Sequence, residues 1–156
     1  MKLSIITINY NTQPLTESLI TSLLADPTLP RGIEIIVVDN NSQDDSVAFL
    51  RSDFPEVTVL DNKENVGLAA GVNRGIRQAR GQYYLILNPD IIALPGSVAK
   101  LVQFMDDNDD VGIAGGKLIS PNGRLQYSCY RFYRPSTIVY RRTFLGKSRA
   151  GKHETS

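Results

Sequence analysis

Short amide and carboxylate side chains follow each of four apolar runs in this chain of 156 residues. Such residues commonly form turns, so a single loop of this kind indicates little. Their recurrence after four runs predicts a rim of hydrogen-bond donors and acceptors, suited to the base, ribose and phosphates of a nucleotide. The residues concerned are Asn9, Tyr10, Asn11 and Thr12, then Asp39, Asn40, Asn41 and Ser42, then Asp61, Asn62 and Asn65, and finally Asn88, Pro89 and Asp90.

Two carboxylates in this set each follow an apolar run and indicate different chemistry. Asp39 is placed to accept hydrogen bonds from a ribose or a base edge. Asn88 and Asp90 are two residues apart, so in extended backbone their side chains point the same way. Oxygen ligands of this kind predict Mg²⁺ or Mn²⁺. With one carboxylate, the site is expected to bind metal weakly until a diphosphate supplies further ligands.

The stretch Asn65–Gly75 contains three glycines spaced four residues apart, at positions 67, 71 and 75. This spacing places them on one face of a helix, and for Gly71 and Gly75 it predicts close packing of that helix on a sheet. The dinucleotide fingerprint is missing, because no G-x-G-x-x-G turn follows a strand. Asn65 and Arg74 are candidates to reach a sugar or its phosphates.

The elements that must position these residues alternate along the chain. The strands are apolar through their length, which indicates a largely parallel sheet covered on both faces by helices, an α/β fold. Ligands of such sheets bind beyond the carboxyl ends of the strands, near a topological switch point. The pattern predicts strands over 3–8, 33–38, 57–60, 83–87 and 111–119, and helices over 15–24, 46–54, 68–79 and 98–105.

Several local details accompany this assignment. Thr12 and Ser42 occupy expected N-cap positions, and Pro95 lies in the first turn of the fourth helix. On the first helix, the apolar positions predict one buried side, formed by Leu15, Leu19, Ile20, Leu23 and Leu24.

Composition limits the other classes of protein. The single cysteine, Cys129, excludes an internal disulfide and fits a reducing compartment. No apolar run reaches the roughly 18 residues needed to cross a bilayer. The apolar N-terminus is interrupted by Asn9 and Asn11 and has no small-residue cleavage site, so a first strand rather than a signal is predicted. A cytoplasmic location is therefore expected.

The C-terminal segment differs from the rest, and we place a boundary between residues 126 and 127. Residues 131–156 carry seven basic residues against one acid, whereas residues 1–130 carry ten against fifteen. Aromatic residues alternate with arginines up to residue 142, and a polar tail predicted to be disordered follows. Three interpretations remain open: packing on a further half of the protein, contact with an anionic membrane surface, and a solvated tail. No nucleic-acid-binding module accompanies the segment, so nucleic acid is not an expected partner. Cys129 and His153 are interpreted as incidental.

Taken together, these residues resemble the family 2 glycosyltransferases, which have the GT-A fold, and within them the rhamnosyltransferase-like members that build cell-surface polysaccharides. The matching stretches occur in the family's order and cover roughly residues 3 to 125. They are SIITINYN at 4–11, IVVDNNS at 36–42, the stretch Asn65–Gly75, and LILNPD at 85–90.

The resemblance implies roles for individual residues. Asp39 would contact the base or ribose, and the backbone from Thr7 through Asn9 to Tyr10 would form the rest of that pocket. Asp90 matches the last residue of the family's Asp-x-Asp-type motif and would bind the metal that bridges the diphosphate. Asn88 stands where many relatives have the first aspartate. Asn65 and Arg74 would lie near the donor.

The implied reaction is a direct displacement at the anomeric carbon with inversion, in which the metal acts as a Lewis acid on the leaving diphosphate. The donor would be a dTDP- or UDP-sugar, and the acceptor a glycan or a lipid-linked sugar at the inner face of the membrane. In such relatives the base that deprotonates the acceptor lies in an acidic motif further along, which is expected beyond Ser156. The acidic run at 106–110 is interpreted as a solvated turn.

Two rival functions differ in class. A nucleotidyltransferase would need a glycine-rich, basic loop after the first strand, and residues 9–14 contain neither glycine nor a basic residue. A truncated domain that binds nucleotide or a protein partner without turnover is the second rival. It stays open because the expected base is missing from this sequence. Retained donor binding without Mn²⁺-dependent donor hydrolysis would favour it.

Overall fold

The computed structural model describes residues 1–126 of the chain. The chain divides into a unit at Met1–Ala114 and a second unit that begins at Gly115, of which residues 115–126 are described. The predictions for 127–156 lie outside the described residues.

Strands and helices alternate through the first unit as the apolar pattern predicts. The strands are β1 (Leu3–Asn9), β2 (Ile33–Asp39), β3 (Thr58–Asp61) and β4 (Tyr83–Leu87). The helices are α1 (Gln13–Leu24), α2 (Ser46–Asp53), α3 (Gly67–Gln78) and α4 (Ser97–Asp107). In the second unit, β5 (Leu118–Ile119) and β6 (Leu125–Gln126) pair antiparallel.

The four strands of the first unit form a parallel sheet in the order β3-β2-β1-β4. The chain adds β2 and β3 on one side of β1 and then crosses to add β4 on the other side. The topological switch point therefore lies between β1 and β4. The register brings Asn9 beside Asp39 and Asp39 beside Asp61, so three of the predicted strand-end residues share one row of the sheet.

Helices pack on both faces of the sheet, as predicted. On one face, apolar residues of α1, α2 and α4 pack with Ile5 and Val37 in the larger core cluster. On the other face, α3 packs over Ile6, Ile36 and Val38. Gly75 makes this approach close, because a Cβ there would come within 2.6 Å of Ile6 Cγ2. The predicted packing role of Gly71 and Gly75 is confirmed.

Two strand predictions differ from the structure: the complete burial of the strand over 83–87, and the strand over 111–119. Tyr84 and Ile86 of β4 are each 48% exposed, because β4 is the outer strand of the described sheet and this face is only partly covered. The strand predicted over 111–119 is wrong for most of its length, since only Leu118–Ile119 pairs. Its glycines offer the ladder no side chains to pack, and Ile113 is largely exposed.

Local predictions for the first two helices also need correction. Leu15 and Leu24 of α1 are exposed, and the polar Thr16 takes a place on the buried side with Leu19, Ile20 and Leu23. Thr12 does occupy the N-cap position of α1, although its side chain makes no capping hydrogen bond. Ser42 is not an N-cap, because α2 begins four residues later with Asp45 at that position.

Candidate functional site

The side chain of Asn9, at the end of β1, is the centre of a buried hydrogen-bond network. Its Nδ2 donates to Asp39 Oδ2 at 2.7 Å and to Ser42 Oγ at 3.0 Å. Its Oδ1 accepts from Thr12 Oγ1 at 2.9 Å and from Thr16 Oγ1 at 2.7 Å. A fully buried amide is thereby satisfied at both ends. The network joins the first turns of α1 to the neighbouring strand β2.

Asp39, at the end of β2, is also fully buried, and its carboxylate organises the loop that follows it. Oδ1 accepts from the Ser42 backbone N–H at 2.8 Å, and Oδ2 accepts from Ser42 Oγ at 2.6 Å. These bonds explain why Ser42 is not a helix cap, because its hydroxyl donates to Asp39 and accepts from Asn9. A buried carboxylate is tolerated here because hydrogen-bond donors surround it.

The loops after β1 and β2 are also tied to each other directly. The Asn11 backbone N–H donates to Ser42 Oγ at 2.9 Å, and the Gln43 backbone N–H donates to Asn11 Oδ1 at 2.7 Å. Asn11 and Asn41 adopt left-handed backbone, with φ of 54° and 65°. Asparagine enters this region more readily than most residues, which accounts for its use in both loops.

A second polar cluster fixes the beginning of α3. Asn62 Nδ2 donates to Asn40 Oδ1 at 2.6 Å, and Asn40 Nδ2 donates to the Gly67 carbonyl at 3.2 Å. Asn65 Oδ1 accepts the Gly67 backbone N–H at 2.9 Å. Gly67 has φ of +77°, a conformation that favours glycine. Asn65 is thus held at the same edge of the sheet as Asn9 and Asp39.

The loop after β4 occupies the other side of the switch point. The Ile91 backbone N–H donates to the Asn88 carbonyl at 3.2 Å, which closes a turn over Asn88–Ile91. The expectation that Asn88 and Asp90 lie on extended backbone is therefore wrong, because β4 ends at Leu87 and alternation ends with it. Both side chains are exposed.

The remaining predicted residues lie around this edge in different settings. Tyr10 is exposed beside Asn9, and Arg74 is half-buried on α3. Thr7 is fully buried in β1, and its Oγ1 is a buried side-chain atom without a hydrogen-bond partner within residues 1–126. Sequence reasoning missed Thr16. The available signal was its position on the inward side of α1, one turn after Thr12.

The fit of a divalent metal can be judged from the residues present. Among residues 1–126 no three His, Cys, Asp or Glu side chains converge on a common point. Asp90 offers one exposed carboxylate, with the Asn88 amide two residues away. That set fits Mg²⁺ or Mn²⁺, which commonly take one or two protein carboxylates and complete their shell with substrate phosphates and water.

The structure has a parallel sheet with helices on both faces and polar loops near the switch point between β1 and β4, as expected for a GT-A-type fold. Comparison with known families agrees. The sequence model of the family described as Glycosyl transferase family 2 matches residues 4–154. The chain belongs to glycosyltransferase family 2.

Curated relatives are also named as glycosyltransferases or mannosyltransferases. The uncharacterized glycosyltransferase YfnE of Bacillus subtilis is 33% identical over 120 residues, which cover 74% of this chain and 30% of the relative. The dolichol-phosphate mannosyltransferase of Pyrococcus furiosus is 29% identical over 126 residues, 76% of this chain and 35% of the relative. The chain therefore spans about a third of the length of these relatives.

Solved structures support the fold. The mannosyltransferase PcManGT from Pyrobaculum calidifontis, in complex with GDP-Man and Mn²⁺, matches with a TM-score of 0.62 at 25% identity, covering 67% of this chain and 32% of that one. TarS 1-349 of S. aureus, in complex with UDP-GlcNAc, matches with a TM-score of 0.63 at 24% identity, covering 70% and 32%. Within residues 1–126, none of the helices has the length and apolar character needed to cross a bilayer.

Proposed function

We propose that residues 1–126 bind the nucleotide-diphosphate sugar of an inverting glycosyltransferase, at the sheet edge between β1 and β4. One observation carries this proposal. The Asn9–Asp39–Ser42 network orders the loops after β1 and β2 on one side of the switch point, while Asp90 is exposed on the other side. Open α/β sheets bind their ligands at such a position.

On the nucleotide side, the buried network would shape the pocket for base and ribose. The Thr7–Tyr10 backbone forms one wall, with the side chain of Tyr10 exposed next to it. Asp39 fixes the loop after β2 through its hydrogen bonds with Ser42. A carboxylate oxygen has two lone pairs. Oδ1 of Asp39 accepts one hydrogen bond within residues 1–126, and because Asp39 is fully buried, a ribose hydroxyl or a base N–H would reach its second lone pair only when the covering loop moves.

On the phosphate side, Asp90 with Asn88 would hold Mg²⁺ or Mn²⁺ against the diphosphate. A bound metal supplies Lewis-acid stabilisation of the leaving diphosphate. Arg74 and Asn65, on and before α3, would lie near the donor. The bound GDP-Man and Mn²⁺ in the PcManGT complex, and the UDP-GlcNAc in the TarS complex, support a nucleotide sugar as ligand here.

The finer assignments follow from the resemblance rather than from geometry. The Asn88-Pro89-Asp90 segment supports the rhamnosyltransferase-like subgroup and, with it, a dTDP- or UDP-sugar donor. The acceptor would be a glycan or a lipid-linked sugar of a cell-surface polysaccharide, used at the inner face of the membrane. The base that deprotonates the acceptor hydroxyl would come from outside residues 1–126.

Isothermal titration calorimetry tests the donor site. The chain is titrated with UDP, dTDP and GDP, each with and without Mn²⁺, alongside Asp90→Ala and the control Asp110→Ala. Asp110 is an exposed carboxylate that follows α4 rather than β4. We expect one diphosphate to bind with Mn²⁺-dependent affinity. Asp90→Ala should weaken that binding at least about tenfold, or about 1.4 kcal/mol, while Asp110→Ala leaves it unchanged.

Two other outcomes are informative. A folded chain that binds none of the three diphosphates would contradict the proposed donor site and leave only the family assignment. Metal-dependent binding without hydrolysis of the matching nucleotide sugar would favour a binding domain that lacks turnover by itself.

A further inference from the structure

The loop that carries Asp90 runs from β4 to α4 over residues 88–96 without helix or strand, and it is held at two points by Ser22 of α1 and by Asp26, which follows α1. The backbone N–H of Ala93 donates to Ser22 Oγ at 3.0 Å. The backbone N–H of Gly96 donates to Asp26 Oδ2 at 2.9 Å. Ser22 lies in the last turn of α1 and Asp26 directly after its C-cap, Ala25.

Both anchoring side chains are themselves fixed. Ser22 Oγ donates to the Leu19 carbonyl at 2.7 Å, which leaves its lone pairs directed to Ala93. Asp26 is buried, and its Oδ1 accepts from the backbone N–H of Thr28 at 2.9 Å and from Thr28 Oγ1 at 2.6 Å. These bonds hold the pKa of the Asp26 carboxyl below its ordinary value, the Thr28 hydroxyl first and the Gly96 N–H second. The Asp26 carboxylate therefore accepts three hydrogen bonds, two at Oδ1 and one at Oδ2.

Apolar contacts act at the same loop. Ala93 is a buried member of the larger core cluster, and Ile91 packs against that cluster. Ile92 and Leu94, which alternate with them, are exposed. Side chains of residues 91–94 therefore alternate between the core and the surface, with Asp90 immediately before the first inward residue.

We propose that Ser22 and Asp26 are positioning residues for the donor site, which hold the 88–96 loop so that Asp90 is presented at the switch point. An irregular loop without such anchors samples many conformations, and a metal ligand on it binds more weakly by the cost of ordering it. This inference rests on the proposed function, because it assigns to Asp90 the metal of the donor complex.

The test compares Ser22→Ala and Asp26→Asn with the wild-type chain by calorimetry. The quantity measured is the metal factor, the ratio of the UDP or dTDP dissociation constants without and with Mn²⁺, using whichever diphosphate wild type binds. Ser18→Ala is the matched control: it lies on the same helix and its hydroxyl bonds only the Pro14 carbonyl in the described structure, away from the loop. Urea unfolding confirms that each variant is folded.

We expect Ser22→Ala and Asp26→Asn to lower the metal factor at least about threefold while metal-free nucleotide affinity stays unchanged. Amide hydrogen exchange at Ala93 and Gly96 should become faster in the corresponding variant. Ser18→Ala should resemble wild type in both measurements. A purely structural role would lower the urea midpoint and leave the metal factor intact.

The outcomes separate the two proposals. If wild type shows metal-dependent binding and both folded variants keep the full metal factor, this inference is overturned and the donor site stands. If wild type itself shows no metal-dependent binding, the donor site is contradicted, and the positioning role is overturned with it.

Discussion

Thr7 and Thr16 are both fully buried threonines near the sheet edge, and they differ in whether the hydroxyl has a partner. Thr16 Oγ1 donates to Asn9 Oδ1 at 2.7 Å, whereas Thr7 Oγ1 has none within residues 1–126. Replacing a buried hydroxyl that lacks a partner by a methyl group of the same shape removes a desolvation cost.

We therefore expect Thr7→Val to leave the free energy of unfolding unchanged or to raise it by up to about 1 kcal/mol. Thr16→Val should lower it by about 1 kcal/mol, because Asn9 loses a buried donor. Urea unfolding of the two variants checks the pair. Thr7→Val being as destabilising as Thr16→Val would show that the Thr7 hydroxyl does have a partner.

The negative charge of Asp39 stabilises the local structure, whether or not Asp39 also contacts a ligand. Its carboxylate accepts from Asn9 and twice from Ser42. Asp39→Asn places an amide N–H₂ where an acceptor is needed, so we expect a loss of about 1–3 kcal/mol in the free energy of unfolding.

Asp45→Asn is the matched control, because Asp45 is the exposed N-cap of α2 and its side chain makes no capping bond. The control should stay within about 0.5 kcal/mol of wild type. Urea midpoints with a common m-value provide the comparison. Equal effects of the two substitutions would contradict the assigned network.

At the scale of elements, the packing of α3 on the sheet depends on two glycines to different extents. A Cβ at Gly75 would lie 2.6 Å from Ile6 Cγ2, which is bonded to the stiff Cβ of a central strand residue. A Cβ at Gly71 would lie 3.3 Å from Ile8 Cδ1, the flexible end of its side chain. Alanine in a helix interior is otherwise favoured over glycine by about 1 kcal/mol.

The two alanine substitutions should therefore differ in their effect on the free energy of unfolding. Gly75→Ala forces α3 away from β1 and should lower the free energy of unfolding by about 1–3 kcal/mol. Gly71→Ala should be close to neutral, because helix propensity offsets a small adjustment of Ile8. Thermal unfolding of both variants tests this. A Gly75→Ala variant as stable as wild type would mean that α3 is not held at this distance.

At the scale of the whole molecule, two carboxylates join segments far apart in the chain. Asp26 accepts from Gly96, and Asp106 forms an ion pair with Lys2 at 2.6 Å and accepts from the Tyr83 hydroxyl at 2.8 Å. The pKa of each carboxyl is lowered from its ordinary value of 3.8. The largest cause is the hydrogen bond from the Thr28 side chain for Asp26 and the hydrogen bond from Lys2 for Asp106.

A pKa lowered by folding means that the unfolded chain binds protons first as the pH falls. The stability contributed by these carboxyls is complete above the unfolded value and is lost as the pH falls through the folded pKa values. We expect these groups to leave the urea midpoint unchanged between about pH 7 and 5. Below about pH 4 the urea midpoint should decline. Asp26→Asn should make that acidic decline shallower. An equally steep decline in Asp26→Asn would exclude Asp26 as a contributor.

The alternation of strands and helices was predictable because each apolar run and each helical spacing is a local property of the chain. The positions of β1, β2 and β4, and the packing glycines of α3, followed from these patterns with small changes at their ends. The location of Asn9, Asp39 and Asp90 at or shortly after the carboxyl ends of strands followed for a related reason, because polar residues mark the ends of apolar runs.

Only the tertiary structure decided how those residues meet. Strand order depends on how all four strands and their crossing helices pack at once, and no local pattern encodes it. That order makes Asn9 a neighbour of Asp39 and places β4 on the opposite side of β1. The bonds from the 88–96 loop to Ser22 and Asp26 likewise join residues about 70 positions apart in the chain. Sequence spacing reports the face of an element on which a residue lies, and the contacts across that face exist only once the elements have packed.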